Sequence, residues 1–359
     1  MVASISARKS VGAAVAYYKH MAQDEYYTGD RESDGEWSGR GAERLALEGS
    51  VSKADFEAAL NGRDPRTGER LNQIGKSHAP GWDMTFSAPK SVSVMWALSP
   101  PVERARIERA HRQAVSAATR HLEDNHAVTR RGRGGAIREP VAGLVIARFH
   151  HHTSRDLDPQ LHTHAFIFNT APRRDGSWGS IVSRDLYKAQ KEVGAVYREH
   201  LGRALERDGH AVRWQGARFR LIAIPYSVER AFSKRRVAIE QAAETHGYRT
   251  PKGMELAALR TRQAKRPRER AALFEAWKQE ARTLGFDLKQ ARQRAEAALG
   301  LRAPGANARA PEAATAAVNQ QAMRLLQRIS GAARSADSTG SLNVSLRQKQ
   351  AQRDREAER

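Results

Sequence analysis

Cysteine is absent from the 359 residues. That absence excludes disulfides, iron–sulfur clusters and thiolate-bound zinc. Apolar runs long enough to span a bilayer are also missing, and no secretory signal pattern opens the chain, so a cytoplasmic protein is expected. A nucleotide-binding phosphate loop requires G-x-x-x-x-G-K-[ST]. Gly75-Lys76-Ser77 supplies the ending, but Arg70 stands where the first glycine is required, and no ATPase or helicase site is expected. Acidic residues are in deficit: 40 Asp and Glu face 61 Lys and Arg, for a net charge of +21. Such a balance points to a nucleic-acid partner before any other.

The charge is not the work of the C-terminal end. Beyond residue 300 the composition shifts to Ala, Arg, Gln and Ser, with ten Lys and Arg against five Asp and Glu. The net +5 there leaves +16 of the +21 in residues 1–300. The shift divides the chain into a folded domain over 1–300 and a linker or tail over 301–359. Within the tail, Pro311 to Ile329 has the pattern of one amphipathic helix, and the rest has a disordered composition.

Histidine is concentrated. The segment Leu144–His151 is apolar and β-rich, as is Leu161–Phe168, and between them Asp156, Asp158 and Pro159 are turn residues. Side chains alternate along a strand. One face of the first strand then carries Val145, Ala147, Phe149 and His151, and one face of the second carries His162, His164, Phe166 and Phe168. Paired as a hairpin, the two faces coincide, with three imidazoles at one end. His150 and His152 point away or lie in the turn. Three imidazoles make a divalent-metal site with positions left for water or substrate. The spacing differs from H-E-x-x-H, so a zinc-protease reading has no support.

Four of the eight tyrosines, Tyr17, Tyr18, Tyr26 and Tyr27, fall within eleven residues. Tyrosine can attack a phosphodiester and keep the bond energy in a phosphotyrosyl link. With a phenol pKa near about 10, it needs a base or a neighbouring cation. The stretch Ser10–Lys19 has helical character, and Val11, Val15 and Tyr18 share its apolar stripe. Tyr17, about 100° around the helix, is the freer of the first pair; the same reasoning does not separate Tyr26 from Tyr27. In Gly81–Ser93, Trp82, Met84 and Phe86 alternate with Asp83 and Thr85. An aspartate on a strand runs against β-propensity and suits a partner for a ligating histidine or a base for the tyrosine proton.

Elsewhere, residues 52–60 fit a short helix capped by Ser52, residues 101–126 and 185–208 fit long helices, and Ala211–Trp214 and Phe219–Ile224 fit short strands. Residues 227–297 are mostly helical in pattern. Thr129–Gly135 has the composition of a flexible basic loop. Lys90, Arg130, Arg131, Arg133, Arg235 and Arg236 are candidate phosphate contacts. Trp37, Trp178 and Trp214 suit core packing better than base stacking.

Together the paired tyrosines, Gly81-Trp-Asp-Met-Thr-Phe-Ser-Ala-Pro-Lys-Ser-Val-Ser93 and Thr153-Ser-Arg-Asp-Leu-Asp-Pro-Gln-Leu-His-Thr-His164 make the sequence resemble the MobF-type conjugative relaxases, the TrwC/TraI-like group of HUH endonucleases. Weaker echoes are Gly194–Tyr197, Phe232–Arg236 and Thr261–Lys265. The resemblance covers roughly residues 1–290. It implies an α+β fold, a five-stranded antiparallel sheet flanked by helices, with a helical C-terminal part and the metal site on the central strands. It also implies metal-assisted nicking of one DNA strand at a plasmid origin of transfer, through a covalent 5′-phosphotyrosyl intermediate, with later religation. By motif position Tyr17 is the first nucleophile, Tyr26 serves the second transfer, His151, His162 and His164 hold the metal, and Asp83 assists. The ion is Mg or Mn in the cell, with Zn, Ni or Cu able to occupy three histidines. The expected partners are single-stranded or hairpin DNA, an accessory DNA-binding protein and a type IV secretion coupling protein, with export into the recipient cell. Thr163 departs from the hydrophobic residue in the group's name, and relatives usually continue into a helicase. A rolling-circle replication initiator is the neighbouring enzymatic class, although its tyrosine usually follows the histidines. A basic DNA-binding protein with incidental histidines is the non-enzymatic alternative.

Overall fold

The computed structural model describes residues 3–26, 35–72, 79–261, 269–298 and 300. The chain falls into two units, residues 1–302 and 303–359, and all the described residues belong to the first. Tyr27, Gly75-Lys76-Ser77, the proposed helix Pro311–Ile329 and most of the Thr261–Lys265 motif lie outside them.

Strand β1 (Ala3–Ala7) leads into α1 (Val11–Tyr26), followed by β2 (Glu36–Ser38), α2 (Arg40–Arg44) and α3 (Lys53–Leu60). Next come β3 (Gly81–Ser87), α4 (Lys90–Leu98) and α5 (Pro101–Asn125). Two hairpins follow, β4 (Val128–Arg131) with β5 (Ile137–Pro140), and β6 (Ile146–Thr153) with β7 (Pro159–Phe168). The ribbon β8 (Ala171–Pro172) and β9 (Trp178–Gly179) precedes α6 (Ser183–Arg207), and β10 (Val212–Gln215) pairs with β11 (Arg218–Leu221). The described part ends in α7 (Tyr226–Ala231), α8 (Lys234–Thr245), α9 (Pro251–Arg260), α10 (Arg270–Thr283) and α11 (Leu288–Ala298). Among the described residues no helix is long and apolar enough to cross a membrane.

The five-stranded sheet has the order β1-β3-β7-β6-β2, and every pair in it is antiparallel. Alternation along the strands gives it two different apolar faces. Val145, Ala147, Phe149, Phe166 and Phe168 pack with Ala14 and Tyr18 of α1 and with Phe56 of α3. Ile146, Ala165 and Ile167, with Met84 and Phe86 of β3, pack on the opposite side against α4, α5 and α6. Local signals place the helices that cover these faces. The Ser52 side chain accepts a hydrogen bond from the Asp55 amide and caps α3. Pro101 begins α5 at the position where a missing N–H costs nothing.

One expectation needs correction, and two strands were not expected. Residues 129–135 are not a loop but most of a hairpin: Thr129 is fully buried on β4, Arg131 Nε bonds Glu139 Oε1 across the pair at 2.8 Å, and Gly132, Gly134 and Gly135 make the turn at φ 76°, 67° and 70°. The glycines mark the turn rather than flexibility. The edge strands β1 and β2 had no expectation at all. Strands of five and three residues carry too little alternation to register, and pairing with β3 and β6 creates them.

Tyr18 is buried, its ring against Phe56 and Phe149 and its hydroxyl donating to the Val51 carbonyl at 2.9 Å. Replacing Tyr18 by Phe is expected to lower the unfolding free energy by about 1 kcal/mol, read from denaturant titration. An unchanged midpoint would mean that water reaches the carbonyl instead.

Candidate active site

The pairing register decides which side chains meet. Across β6 and β7, His151 stands opposite His162 and Phe149 opposite His164. Across β3 and β7, Thr85 stands opposite His164 and Asp83 opposite Phe166. Cross-strand partners share a face, so three histidines, Thr85 and Asp83 all project on the side covered by α1. The three imidazole centroids are 5.1, 5.1 and 5.2 Å apart, and one nitrogen from each lies within 4.8 Å of the others.

Hydrogen bonds orient two of the rings. His162 Nδ1 lies 2.9 Å from the Gln160 carbonyl, which can only accept. His164 Nδ1 lies 3.0 Å from Asp83 Oδ2. Each ring therefore carries its proton on Nδ1 and keeps the Nε2 lone pair as a ligand atom. Burial, reinforced by the charge of His164, pushes the His162 imidazole down to about 3, so it is neutral at physiological pH. Donor type and count, with a neutral His162, fit a divalent transition metal.

Tyr17 comes from the middle of α1. Its hydroxyl donates to Asp83 Oδ2 at 2.6 Å and lies 2.9 Å from His164 Nδ1. The Arg8 guanidinium carbon sits 3.6 Å from the Tyr17 ring centroid, and Arg8 Nη2 is 3.4 Å from Asp83 Oδ2. Thr85 Oγ1 donates to the same carboxylate oxygen at 3.1 Å. Burial raises the Tyr17 phenol well above its ordinary value, and the charge and hydrogen bond of Asp83 raise it further against Arg8 and Arg155. Burial also works to raise the Asp83 carboxyl. His164, the Tyr17 hydrogen bond and Arg8 outweigh it and hold the group below the ordinary carboxylate range. The resting pair is thus a phenol and a carboxylate.

The other candidate residues lie in varied settings. Tyr26 is the last residue of α1, nine positions after Tyr17, or about 13 Å along the helix axis. Lys90 donates to the Pro159 carbonyl at 2.9 Å, and burial pulls its amine down to about 8. Arg131 pairs with Glu139 and Asp175. Arg235 donates to the Thr261 and Ala258 carbonyls at the end of α9, and Arg236 pairs with Glu240. These four are engaged within the protein, whereas Arg130 and Arg133 are exposed on the β4–β5 hairpin. Trp37 packs on Phe168, and Trp214 on Phe219.

Sequence reasoning missed Arg8, whose place beside Tyr17 depends on β1 pairing with β3. It also missed a buried polar chain behind the histidines. Glu36 Oε1 lies 3.1 Å from His150 Nε2. His150 Nδ1 and His111 Nε2 each lie 2.8 Å from Thr163 Oγ1, and His111 Nδ1 lies 2.8 Å from the Tyr197 hydroxyl. The only available signal was the alternation that turns His150 and Thr163 away from the three clustered histidines.

Residues 11–284 match the family model of the TrwC relaxase. The chain belongs to the TrwC relaxase family. It is 36% identical over 315 residues to the multifunctional conjugation protein TraI of Escherichia coli strain K12, an alignment that takes in 83% of this chain and 17% of that protein. It thus spans about a sixth of the length of this curated relative. Among solved structures, a conjugative relaxase TrwC in complex with oriT DNA, in a copper-bound form, is 34% identical with a TM-score of 0.71 over 80% of this chain and 99% of that one. A metal-free form of the TrwC complex with oriT DNA is 32% identical, with a TM-score of 0.69 over the same shares.

Burial holds the His111 and His152 imidazoles, like that of His162, below their ordinary range. The unfolded chain therefore binds protons that the native family fold refuses. Stability is full above about pH 6.5 and falls as pH drops below it. Metal-stripped protein should show its urea midpoint decreasing from pH 7 to 5, before most carboxylates titrate. A flat midpoint over that window would show that the rings are not desolvated.

Proposed function

We propose that residues 1–300 are the strand-transferase domain of a conjugative relaxase that nicks one strand of DNA at an origin of transfer, and that 301–359 are a linker or tail. The observation that carries this reading is the Tyr17 hydroxyl, held 2.6 Å from Asp83 and 2.9 Å from His164 beside three clustered imidazoles. Family membership and the relatives solved in complex with oriT DNA support it.

His151, His162 and His164 are the ligands in this reading, with one nitrogen from each within 4.8 Å of the others. A divalent cation bound there supplies Lewis acidity and a fixed position for the scissile phosphate. Tyr17 Oη attacks phosphorus as its proton passes to Asp83. The P–O bond to the 3′ oxygen breaks, that oxygen leaves and takes up a proton from solvent, and the 5′ phosphate stays on the tyrosine. Arg8, over the ring and beside Asp83, opposes the rise in phenol pKa that the carboxylate imposes. Thr85 and Asp83 hold the His164 ring and so keep its Nε2 aimed at the ligand point. Reversal of the same step rejoins the strand. Tyr26, well along α1, serves a second transfer after the DNA or the helix end has shifted. Arg130 and Arg133 are the phosphate contacts best supported by exposure. The protein works in the donor cytoplasm with an accessory DNA-binding protein and a secretion coupling protein, and travels with its DNA.

Tyr17→Phe is expected to abolish the covalent adduct with a labelled origin oligonucleotide while DNA affinity changes little. Adduct formation at the wild-type level would move the nucleophile elsewhere. His162→Ala should lose bound metal and cleavage together, and Asp83→Asn should slow cleavage by about 10²–10⁴-fold with the adduct still on Tyr17. Unchanged metal stoichiometry in His162→Ala would remove that residue from the ligand set.

A further inference from the structure

A second group of ligand-type side chains lies outside this site, on the helical side of the sheet. His121 lies about one turn before the end of α5 and His126 is its C-cap residue, at φ −133° and ψ −14°. That departure from helical geometry brings a side chain five positions on back beside the first. The two rings stand 5.5 Å apart between centroids. Glu192, near the middle of α6, meets both: its Oε1 lies 2.8 Å from His121 Nε2 and its Oε2 lies 3.2 Å from His126 Nε2. One atom from each of the three lies within 4.8 Å of the others.

We propose that His121, His126 and Glu192 form a second metal site, selective for a borderline divalent ion such as zinc. The proposal is independent of the nicking reading. Two imidazoles and one carboxylate are a donor set for zinc, cobalt or nickel, whereas magnesium and calcium favour all-oxygen surroundings. Ligand atoms around a tetrahedral ion at about 2.0–2.1 Å stand roughly 3.3 Å apart, close to the 2.8 and 3.2 Å between the two imidazole nitrogens and the Glu192 oxygens. Each of the three side chains is partly exposed, by 26, 24 and 31%, so an ion has a path in and room for a solvent ligand. The His126 Nε2 atom itself is out of contact with water and has no hydrogen-bond partner. It lies beside the Glu192 oxygen but out of line for a hydrogen bond, which an ion between the two would replace.

One neighbour sets the chemistry of binding. Asn125 Nδ2 donates to His121 Nδ1 at 3.2 Å and to the His121 carbonyl at 2.9 Å. With Nδ1 accepting, the proton of a neutral His121 resides on Nε2 and points at Glu192. A metal takes the Nε2 lone pair, so the proton must move to Nδ1 and the Asn125 amide must turn away. A carboxylate at position 125 would instead accept from Nδ1–H, the arrangement that strengthens histidine as a metal ligand. Once bound, the ion ties the end of α5 to α6. It also fixes the chain two residues before the β4–β5 hairpin that presents Arg130 and Arg133.

The test is zinc stoichiometry of the full chain, stripped with chelator, reloaded and desalted. Wild type should retain two equivalents. Glu192→Gln and His126→Ala should each retain one, and the pair His162→Ala with His164→Ala should also retain one, from the second site alone. Asn125→Asp should tighten the second equivalent by about tenfold or more in competition with a chromogenic chelator, a gain that a misfolded variant would not produce. No zinc retained by the His162→Ala, His164→Ala pair, no loss of zinc in Glu192→Gln relative to wild type, or unchanged affinity in Asn125→Asp would overturn the proposal.

Discussion

The register of β7 against both of its neighbours is the constraint on which the candidate site depends. A slip of one residue along either pair would turn His162 and His164 into the opposite apolar layer and bring Leu161 and Thr163 to the α1 side. The aromatic residues further along the same strands resist that slip. Phe149, Phe166, Phe168 and Phe56 form edge-to-face and tilted pairs at 5.0–6.1 Å, and any slip exchanges them for smaller side chains. The ladder keeps step up to His151 opposite His162 and then shifts between His151 and Thr153. Regular pairing therefore ends directly after the last of the three clustered histidines, and the irregular tip begins there.

Within that frame one carboxylate has several tasks that pull against each other. Asp83 is buried at 3% exposure and receives the Tyr17 hydroxyl, the Thr85 hydroxyl and His164 Nδ1. These contacts compensate for removing a charge from water. The same negative charge opposes formation of a phenolate on Tyr17, so the resting hydroxyl keeps its proton. Arg8 supplies an opposing positive charge permanently. Any further positive charge beside the phenol would have to come from an occupant of the histidine cluster.

Much of this was legible in the sequence, for a physical reason. Alternation on a strand is a strict period of two, so the choice of His151 over His150 and His152 needed only the strand assignment. Helical period separated Tyr17 from Tyr18 in the same way. Asp83 stood out because a strand disfavours it. What escaped was whatever depends on pairing between distant segments. Arg8 reaches Tyr17 only through β1 lying beside β3, and β1 is too short to announce itself. The positive candidates were the least legible. Charge is visible in a sequence but distant partners are not: Lys90, Arg131 and Arg235 each find an acceptor contributed by another part of the fold, whereas Arg236 pairs within its own helix with Glu240. The basic loop proved to be a hairpin because glycine composition alone does not distinguish a mobile segment from a tight turn.

Thr163 brings the two sides of the sheet together. It lies between two histidines that face α1, so alternation forces its hydroxyl into the opposite layer, between His150 and His111. A hydroxyl there donates to one ring and accepts from the other, satisfying two buried imidazoles with a single group. A hydrophobic residue of similar volume would fit the space but leave both rings without that partner. The tripeptide His162-Thr163-His164 is thus read twice, once from each side of a single strand. Transplanting the three-histidine cluster into another sheet would accordingly require His111, His150 and Glu36 to travel with it.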